Sequence, residues 1–301
     1  MVNKITKRSL KSFLYYDLWK ALIACVLVCA VFLLAFNFVA KKPTDGQDFK
    51  ILISGDVIMG NDANDLFEDL FTRKPTEGGF SYEMLRGDTM FMYGSEENPE
   101  DYLLRAVYGD LNYDDVVILL EELYVTYINS NMATDINVYI ADAKNFVTEN
   151  AMENGEFSES KIHDYFNRTR KRDGRFRTKA EKEQGRRDEV ERFKGLWLMA
   201  NALEQCFKDH KDLLDKEREI TRLGKKETGV YALNLGGLKG KDGMKITDLF
   251  SVDKVDEGGK IYYTADGVYL AIGNNKSENG DLYYEMLAVM YTLIKNYTNY
   301  L

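Results

Sequence analysis

The strongest hydrophobic pattern in the chain is an unbroken apolar run near the N-terminus, ALIACVLVCAVFLLAFNFVA at residues 21–40, in which Asn37 is the one polar side chain. Roughly 20 apolar residues in a helix match the hydrocarbon core of a bilayer, about 30 Å thick. A helix is also the conformation that satisfies its own backbone groups in lipid. The pattern therefore predicts one transmembrane helix, with a buried core helix as the alternative.

The charges that flank this run predict its orientation. Residues 1–20 carry five Lys and Arg against one Asp, a net charge of about +4. Basic flanks stay on the cytoplasmic side of a membrane. We therefore expect a single-pass membrane protein, with a cytoplasmic tail at 1–20, a transmembrane helix at 21–40, a linker at 41–48 and an extracytoplasmic domain at 49–301.

Beyond the linker, short apolar runs alternate with amphipathic segments. Runs rich in β-branched residues predict core strands near 50–53, 136–141 and 268–272. Helical spacing of apolar residues predicts one helix from an Asn112 cap to Ile128 and a closing helix at 281–297. This alternation is typical of an α/β domain.

One further strand is predicted at 260–264, next to the strand at 267–272. Asp266 and Gly267 lie between them, and this dipeptide is typical of a tight hairpin turn. We therefore expect these two strands to pair with each other.

Residues 156–228 differ in composition from the rest of the domain. Half of the 40 Lys and Arg residues fall here, mixed with Asp and Glu. The segment is interpreted as a helical charged insertion that leads into a long amphipathic helix. The apolar stripe of that helix, which includes Phe193, Trp197 and Phe207, is expected either to pack on the core or to form a partner-docking surface.

Charge and cysteine content narrow the function. The chain carries a net charge of −9, and subtracting the tail leaves about −13 on the remainder. An acidic domain of this kind disfavours nucleic acid as a partner. Cys25 and Cys29 lie in the predicted membrane segment, which leaves Cys206 without a partner for an intrachain disulfide in the outer domain.

Three segments of the outer domain carry a recognisable pattern. They are INVYIAD at 136–142 followed by Asn145 and Phe146, YALNLGGLKG at 231–240, and YLAIGNNK at 269–276. Together they resemble membrane-anchored extracytoplasmic solute-binding-like proteins of Gram-positive bacteria. The resemblance implies a periplasmic-binding-protein-like α/β fold, and a solute-binding or accessory role beside a transporter or envelope complex. The charged insertion is not part of that pattern.

Candidate binding residues follow from the expected sheet. Open α/β sheets bind ligands at the carboxyl ends of their strands. The residues at those positions are Ser54, Gly55, Asp56, Asp142 and Asn145. Each is also consistent with an ordinary turn or helix-cap role.

Catalytic motifs are weak in this chain. His163 and His210 both lie in the charged insertion, without the spacing of metal ligands. No G-x-S-x-G elbow occurs in the sequence. The sequence therefore predicts no catalytic residue, metal or cofactor. We expect a non-enzymatic module with a small-molecule ligand, a membrane or envelope protein partner, or both. The alternatives are a structural assembly component and an envelope hydrolase.

Overall fold

The computed structural model describes residues 18–39, 48–54, 56–60, 62–63, 65–66, 70, 86–92, 103, 115–169, 176–222, 224–273 and 283–301. The chain divides into two compact units, Met1–Lys42 and Pro43–Leu301. The expected cytoplasmic tail falls outside the described residues up to position 17.

The described part of the first unit is helix α1, Leu18–Val39. Among the residues that the structure describes, no helix is both long and apolar enough to cross a membrane. This finding contradicts the predicted transmembrane helix at 21–40. It equally contradicts the single-pass membrane localisation and the extracytoplasmic placement of 49–301.

The second unit mixes helices and sheets. Its helices are α2 (Glu121–Asn129), α3 (Ile136–Ala151), α4 (Glu159–Thr169), α5 (Lys179–Asp209) and α6 (Tyr283–Tyr297). Its strands are β1 (Asp48–Ser54), β2 (Ile58–Met59), β3 (Arg86–Met92), β4 (Val116–Leu120), β5 (Met152–Glu153), β6 (Glu156–Phe157), β7 (Arg218–Arg222), β8 (Lys225–Gly229), β9 (Ala232–Asn234), β10 (Phe250–Val255), β11 (Ile261–Thr264) and β12 (Val268–Ile272).

A five-stranded mixed sheet in the order β3-β1-β4-β12-β9 forms the centre of this unit. Strand β1 runs parallel to β3 and β4, whereas β12 is antiparallel to β4 and β9. Every residue of β12, and β4 from Val116 to Leu119, is buried. A continuous apolar run of this kind is typical of a strand covered on both faces. The strands predicted near 50–53 and 268–272 are confirmed.

Alternate side chains of the sheet enter two separate layers. Ile51, Ile118 and Leu270 belong to a core that includes α3, α4, α5 and α6. Leu52, Val117 and Ala271 point to the opposite face and belong to a second core with α2 and the strand β7. The two-residue period of a strand produces this division, and the result is a three-layer arrangement with the sheet in the middle.

The segment at 136–141 is not the predicted strand but the start of α3. Asp135 caps this helix, since its Oδ1 accepts hydrogen bonds from the backbone N–H groups of Asn137 and Val138 at 2.7 and 3.2 Å. The buried residues then recur at helical spacing: Ile136, Tyr139, Ile140, Ala143, Val147 and Ala151. The Asp135 cap and the helical spacing of the buried residues favour a helix more strongly than the β-propensity of the short run INVYI favours a strand.

The predicted helix from Asn112 to Ile128 is only half correct. Residues 116–120 form β4, and the helix α2 begins at Glu121. Asn112, the predicted cap, lies outside the described residues. The run Val116–Leu119 is apolar at successive positions rather than at helical spacing, which suits a buried strand.

The predicted pairing of 260–264 with 267–272 is wrong. β11 pairs with β10 in a separate sheet of order β11-β10-β2, whereas β12 enters the central sheet. Asp266 and Gly267 therefore connect two sheets and do not close a hairpin. The two strands differ in burial, which fits their separate sheets. β12 is apolar throughout and lies in the central sheet, whereas β11 is exposed and lies in the three-stranded sheet.

The predicted charged insertion is part of the core layer. α5 begins at a capping box, in which the Thr178 hydroxyl accepts from Glu181 N–H and the Glu181 carboxylate accepts from Thr178 N–H. α5 packs against α3, α4 and α6. Its charged N-terminal turns are largely exposed, whereas Val190, Phe193 and Leu203 are buried.

A charged cluster lies between α5 and α6. The side chains of Glu189, Arg192 and Glu285 are at most 1% exposed. Arg192 Nη1 lies 3.2 Å from Glu189 Oε1, and Arg192 Nη2 lies 3.8 Å from Glu285 Oε2. Buried charges need such opposite partners, because desolvating an isolated ion is costly.

Candidate functional site

A cleft opens on the second unit where α3, the C-terminal end of α5 and the segment 211–217 meet. Its volume is about 840 Å³. Its walls carry four lysines, three carboxylates, two amides and five apolar side chains: Asn137, Ile140, Ala141, Lys144, Asn145, Glu204, Phe207, Lys208, Lys211, Leu214, Asp215, Lys216, Glu217 and Val230. We call this feature the lysine cleft.

The first wall of the cleft is α3, and Asp135 holds the start of this helix in place. Its Oδ1 caps α3, while its Oδ2 accepts a hydrogen bond from the Val230 N–H at 3.1 Å. The Ile136 N–H in turn donates to the Val230 carbonyl at 2.8 Å. Gly229 makes this approach possible, because a Cβ there would lie 2.1 Å from Asp135 Oδ2. One carboxylate thus joins the start of α3 to the chain that follows β8.

The second wall is the end of α5 and the turn that follows it. The His210 N–H donates to the Cys206 carbonyl at 2.8 Å and ends the helix. The His210 ring stacks on Tyr300, with a centroid distance of 3.7 Å. A 3₁₀ turn at Lys211–Leu213 then brings Leu214 and Asp215 to the cleft.

Glu204 is the charged centre of the cleft. Its carboxylate accepts hydrogen bonds from Lys144 Nζ at 2.6 Å and from Lys208 Nζ at 2.8 Å. These two bonds, with that from Lys144 first, lower the pKa of Glu204 from 4.5 to about 2. Lys144 Nζ also lies 5.6 Å from the centroid of the Trp197 ring. Trp197 therefore reports on the position of a cleft lysine.

The far end of the cleft adjoins a polar and aromatic cluster. Asp215 forms an ion pair with Arg218, which also lies 3.5 Å from Glu121. The Arg218 guanidinium stands 5.1 Å from the centroid of the Tyr124 ring, and Tyr124 stacks on Tyr269 at 4.7 Å. Burial, followed by the charge of Asp215, raises the pKa of Tyr124 well above its ordinary value. The Asp215 carboxylate therefore interacts with Arg218 and Tyr124 of this cluster.

The predicted ligand-binding residues do not converge on one place. Asn145 lines the cleft, whereas neither Asp56 nor Asp142 does. Asp56 lies in an exposed turn after β1. Asp142 and Asn145 follow no strand, because both lie within α3. Only the backbone of Ser54 is described, and Gly55 lies outside the described residues.

The predicted docking residues have mixed positions. Phe193 is fully buried and stacks on Phe146 with a centroid distance of 5.5 Å. Phe207 is also buried, but it contributes to the wall of the cleft. Trp197 is half-buried against the core. Most of the stripe therefore packs inside the domain.

Sequence reasoning missed the lysines of the cleft. Glu204 and Lys208 have the i,i+4 spacing of a helical ion pair, which is a visible but common signal. Lys144 is 60 residues away from Glu204 in the chain, and only the packing of α3 on α5 brings the two together. Within the described ranges, no group of three or more His, Cys, Asp or Glu side chains is arranged to hold a metal ion.

Comparisons with known proteins add no relative. No protein family, no curated protein and no solved structure matches this chain. The periplasmic-binding-protein-like fold implied by the resemblance therefore gains no support from solved structures. The architecture is therefore described by its elements alone, as a central mixed sheet with helices on both faces.

Proposed function

We propose that the unit at 43–301 is a non-catalytic solute-binding module, and that the lysine cleft takes a small organic anion with an apolar body. The observation that carries this proposal is the convergence of four lysines and five apolar side chains on one cleft of about 840 Å³. Small-molecule sites are typically clefts of about 300–1,000 Å³, with apolar walls and few polar groups.

The charges in the cleft support an anionic ligand. Of the three carboxylates, Glu204 is bonded to two lysines and Asp215 to Arg218. Lys211 and Lys216 add two positive charges to the same opening against the one negative charge of Glu217, in a chain whose net charge is −9. An ammonium group beside an apolar wall favours a carboxylate or phosphate joined to a hydrocarbon.

The apolar residues favour a ligand with a hydrocarbon part. Ile140, Phe207 and Leu214 belong to the cleft lining. Contact with such side chains contributes roughly 25 cal/mol for each Å² of apolar surface removed from water.

Two observations support a binding role over catalytic and docking roles. Among the residues that the structure describes, those that line the cleft carry no hydroxyl, thiol or imidazole group, and these are the common nucleophiles and bases of hydrolases. The burial of Phe193 and Phe207 removes most of the exposed stripe that a structural assembly component would use.

Fluorescence of Trp197 provides the test. The chain has two tryptophans, so a Trp19→Phe background leaves Trp197 as the one tryptophan, which excitation beyond the tyrosine absorption band selects. Hexanoate and hexyl phosphate should change its emission saturably, because a negative charge in the cleft attracts the Lys144 ammonium group, which lies 5.6 Å from the centroid of the ring. Hexanamide, which has the same body without the charge, should bind at least ten times more weakly.

Matched variants locate the effect. Lys211→Gln with Lys216→Gln should weaken the binding of hexanoate at least tenfold. Lys194→Gln is the control, because Lys194 is an exposed lysine of α5 that pairs with Glu191 and does not line the cleft. Equal binding of hexanoate and hexanamide, or an equal loss in both variants, would refute the anion site.

A further inference from the structure

Strand β11 has an open edge. It stands at the end of the sheet β11-β10-β2, and no strand in the described part of the chain pairs with its outer side. The register of β10 with β11 joins Val252 to Thr264 and Val255 to Ile261. The Asp256 N–H donates to the Lys260 carbonyl at 3.0 Å, on the same register.

This bond fixes which backbone groups face outward. Hydrogen-bonded and non-hydrogen-bonded pairs alternate along an antiparallel ladder. Because Asp256 and Lys260 form a bonded pair, Ile261 and Tyr263 fall in non-bonded pairs with β10. Their N–H and C=O groups therefore point to the open edge.

The side chains at this edge are apolar and exposed. Val255, Ile261 and Tyr263 are 65%, 58% and 63% exposed. The three lie on one face, because Val255 stands opposite Ile261 and the strand period places Tyr263 beside it. An edge strand with exposed apolar side chains is a template for another strand.

We propose that β11 pairs antiparallel with β11 of a second copy of this chain, about a twofold axis at Tyr262. In this register Ile261 of each copy stands opposite Tyr263 of the other. Both residues have outward backbone groups, so the two pairs form four hydrogen bonds between the copies. Isologous contacts of this kind are the commonest in homo-oligomers.

The same register brings opposite charges together. The turn of the β10–β11 hairpin carries Asp256 and Glu257, and it comes opposite residues 265–268 of the second copy. There Lys254 Nζ donates to the Asp266 carbonyl at 3.0 Å, and Lys239 Nζ lies 3.7 Å from Asp266 Oδ1. The turn 256–260, in which Lys260 leaves a net charge of about −1, thus comes opposite two ammonium groups and the Asp266 carboxylate of the other copy, a net charge of about +1. Complementary charges of this kind help fix the register of an interface.

Disulfide trapping tests the geometry in the full chain. At the twofold axis, the two Tyr262 residues form a non-hydrogen-bonded pair with Cα atoms about 4.5 Å apart, within the range of about 4.4–6.8 Å that a disulfide spans. Tyr262→Cys, in a background in which Cys25, Cys29 and Cys206 are replaced by Ser, Ser and Ala, should oxidise to a covalent dimer. Ile261→Cys mixed with Tyr263→Cys should give the crossed dimer.

The control is Thr221→Cys, on the exposed β7–β8 hairpin. Its dimer yield should be at least tenfold lower than that of Tyr262→Cys. Equal yields at the two positions, or no dimer at Tyr262, would overturn the pairing.

A second measurement uses the chain with its native Cys25, Cys29 and Cys206. Tyr263→Lys should raise the dimer dissociation constant, measured by sedimentation velocity, at least tenfold. Thr228→Lys adds the same charge to the β7–β8 hairpin and should leave that constant unchanged. A wild-type chain that sediments as a monomer at every concentration, or variants with equal effects, would refute the interface.

Discussion

Lys144 and Glu204 are 60 residues apart in the chain, yet Lys144 Nζ lies 2.6 Å from Glu204 Oε2. This contact joins α3 to α5 across the lysine cleft. Lys208 approaches the other oxygen of the same carboxylate at 2.8 Å. The two lysines therefore share one negative charge in the lining of the cleft.

This arrangement predicts a dependence of stability on pH. The pKa of Glu204 is lowered from 4.5 to about 2 in the folded protein. The stabilisation is therefore fully present above about pH 4.5 and is lost as the pH falls towards 2. Because Glu204 is 38% exposed, solvent screens the pairs and we expect less than about 1 kcal/mol. The difference in urea midpoint between wild type and Glu204→Gln should shrink as the pH falls from about 6 to about 3.

The control for this measurement is Glu191→Gln on the same helix. Its carboxylate forms a single exposed pair with Lys194 at 3.3 Å. We expect a smaller difference from wild type at every pH. A difference for Glu204→Gln that stays constant through the acid range would contradict the ion-pair explanation.

Asp135 provides a second prediction, on the start of α3. Asp135→Ala removes the helix cap and the acceptor of the Val230 N–H. Losing an N-cap costs about 0.5–2 kcal/mol, so we expect at least about 1 kcal/mol in urea unfolding. Asp135→Asn retains a capping oxygen and should cost less. Equal losses for Ala and Asn would show that the carboxylate charge, and not the cap, is the stabilising factor.

Phe193 and Leu198 provide a matched pair on α5. Phe193 is fully buried, whereas Leu198 is 58% exposed on the same helix. Truncating a buried aromatic costs about 3–5 kcal/mol, and an exposed change usually less than about 0.5 kcal/mol. Thermal unfolding should therefore show a large loss for Phe193→Ala and little change for Leu198→Ala. Similar losses in the two variants would mean that α5 does not pack as described.

The sequence was most informative where one local pattern decides the structure. The apolar run predicts the strand near 268–272, which the structure contains as Val268–Ile272, and helical spacing predicts the helix at 281–297, which the structure describes over Tyr283–Tyr297. The segment at 136–141 was mistaken for a strand because its β-branched residues conceal a helical period that extends to Ala151. The predicted single-pass membrane topology is wrong, because no helix among the described residues is long and apolar enough to cross a membrane.

The lysine cleft could not be predicted from the sequence for a different reason. Its charged residues come from α3, from α5 and from the turn at 211–217. Each lysine resembles the exposed lysines elsewhere in a chain that contains 40 Lys and Arg. Only the packing of the two helices identifies which of them share a cleft. Asn145, a ligand-binding candidate under the strand-end rule, lines the cleft from within a helix, so the rule does not explain its position.

The buried Arg192 guanidinium bears on how the domain reaches one structure. A hydrophobic seam between α5 and α6 would tolerate a shift of one helix by a turn, since one apolar residue can replace another. Arg192 opposes such a shift, because its pair with Glu189 stays within α5 whereas its pair with Glu285 of α6 would break, and breaking a buried ion pair costs about 3–5 kcal/mol. The cluster thus contributes more to the specificity of the register between α5 and α6 than to the stability of the folded domain.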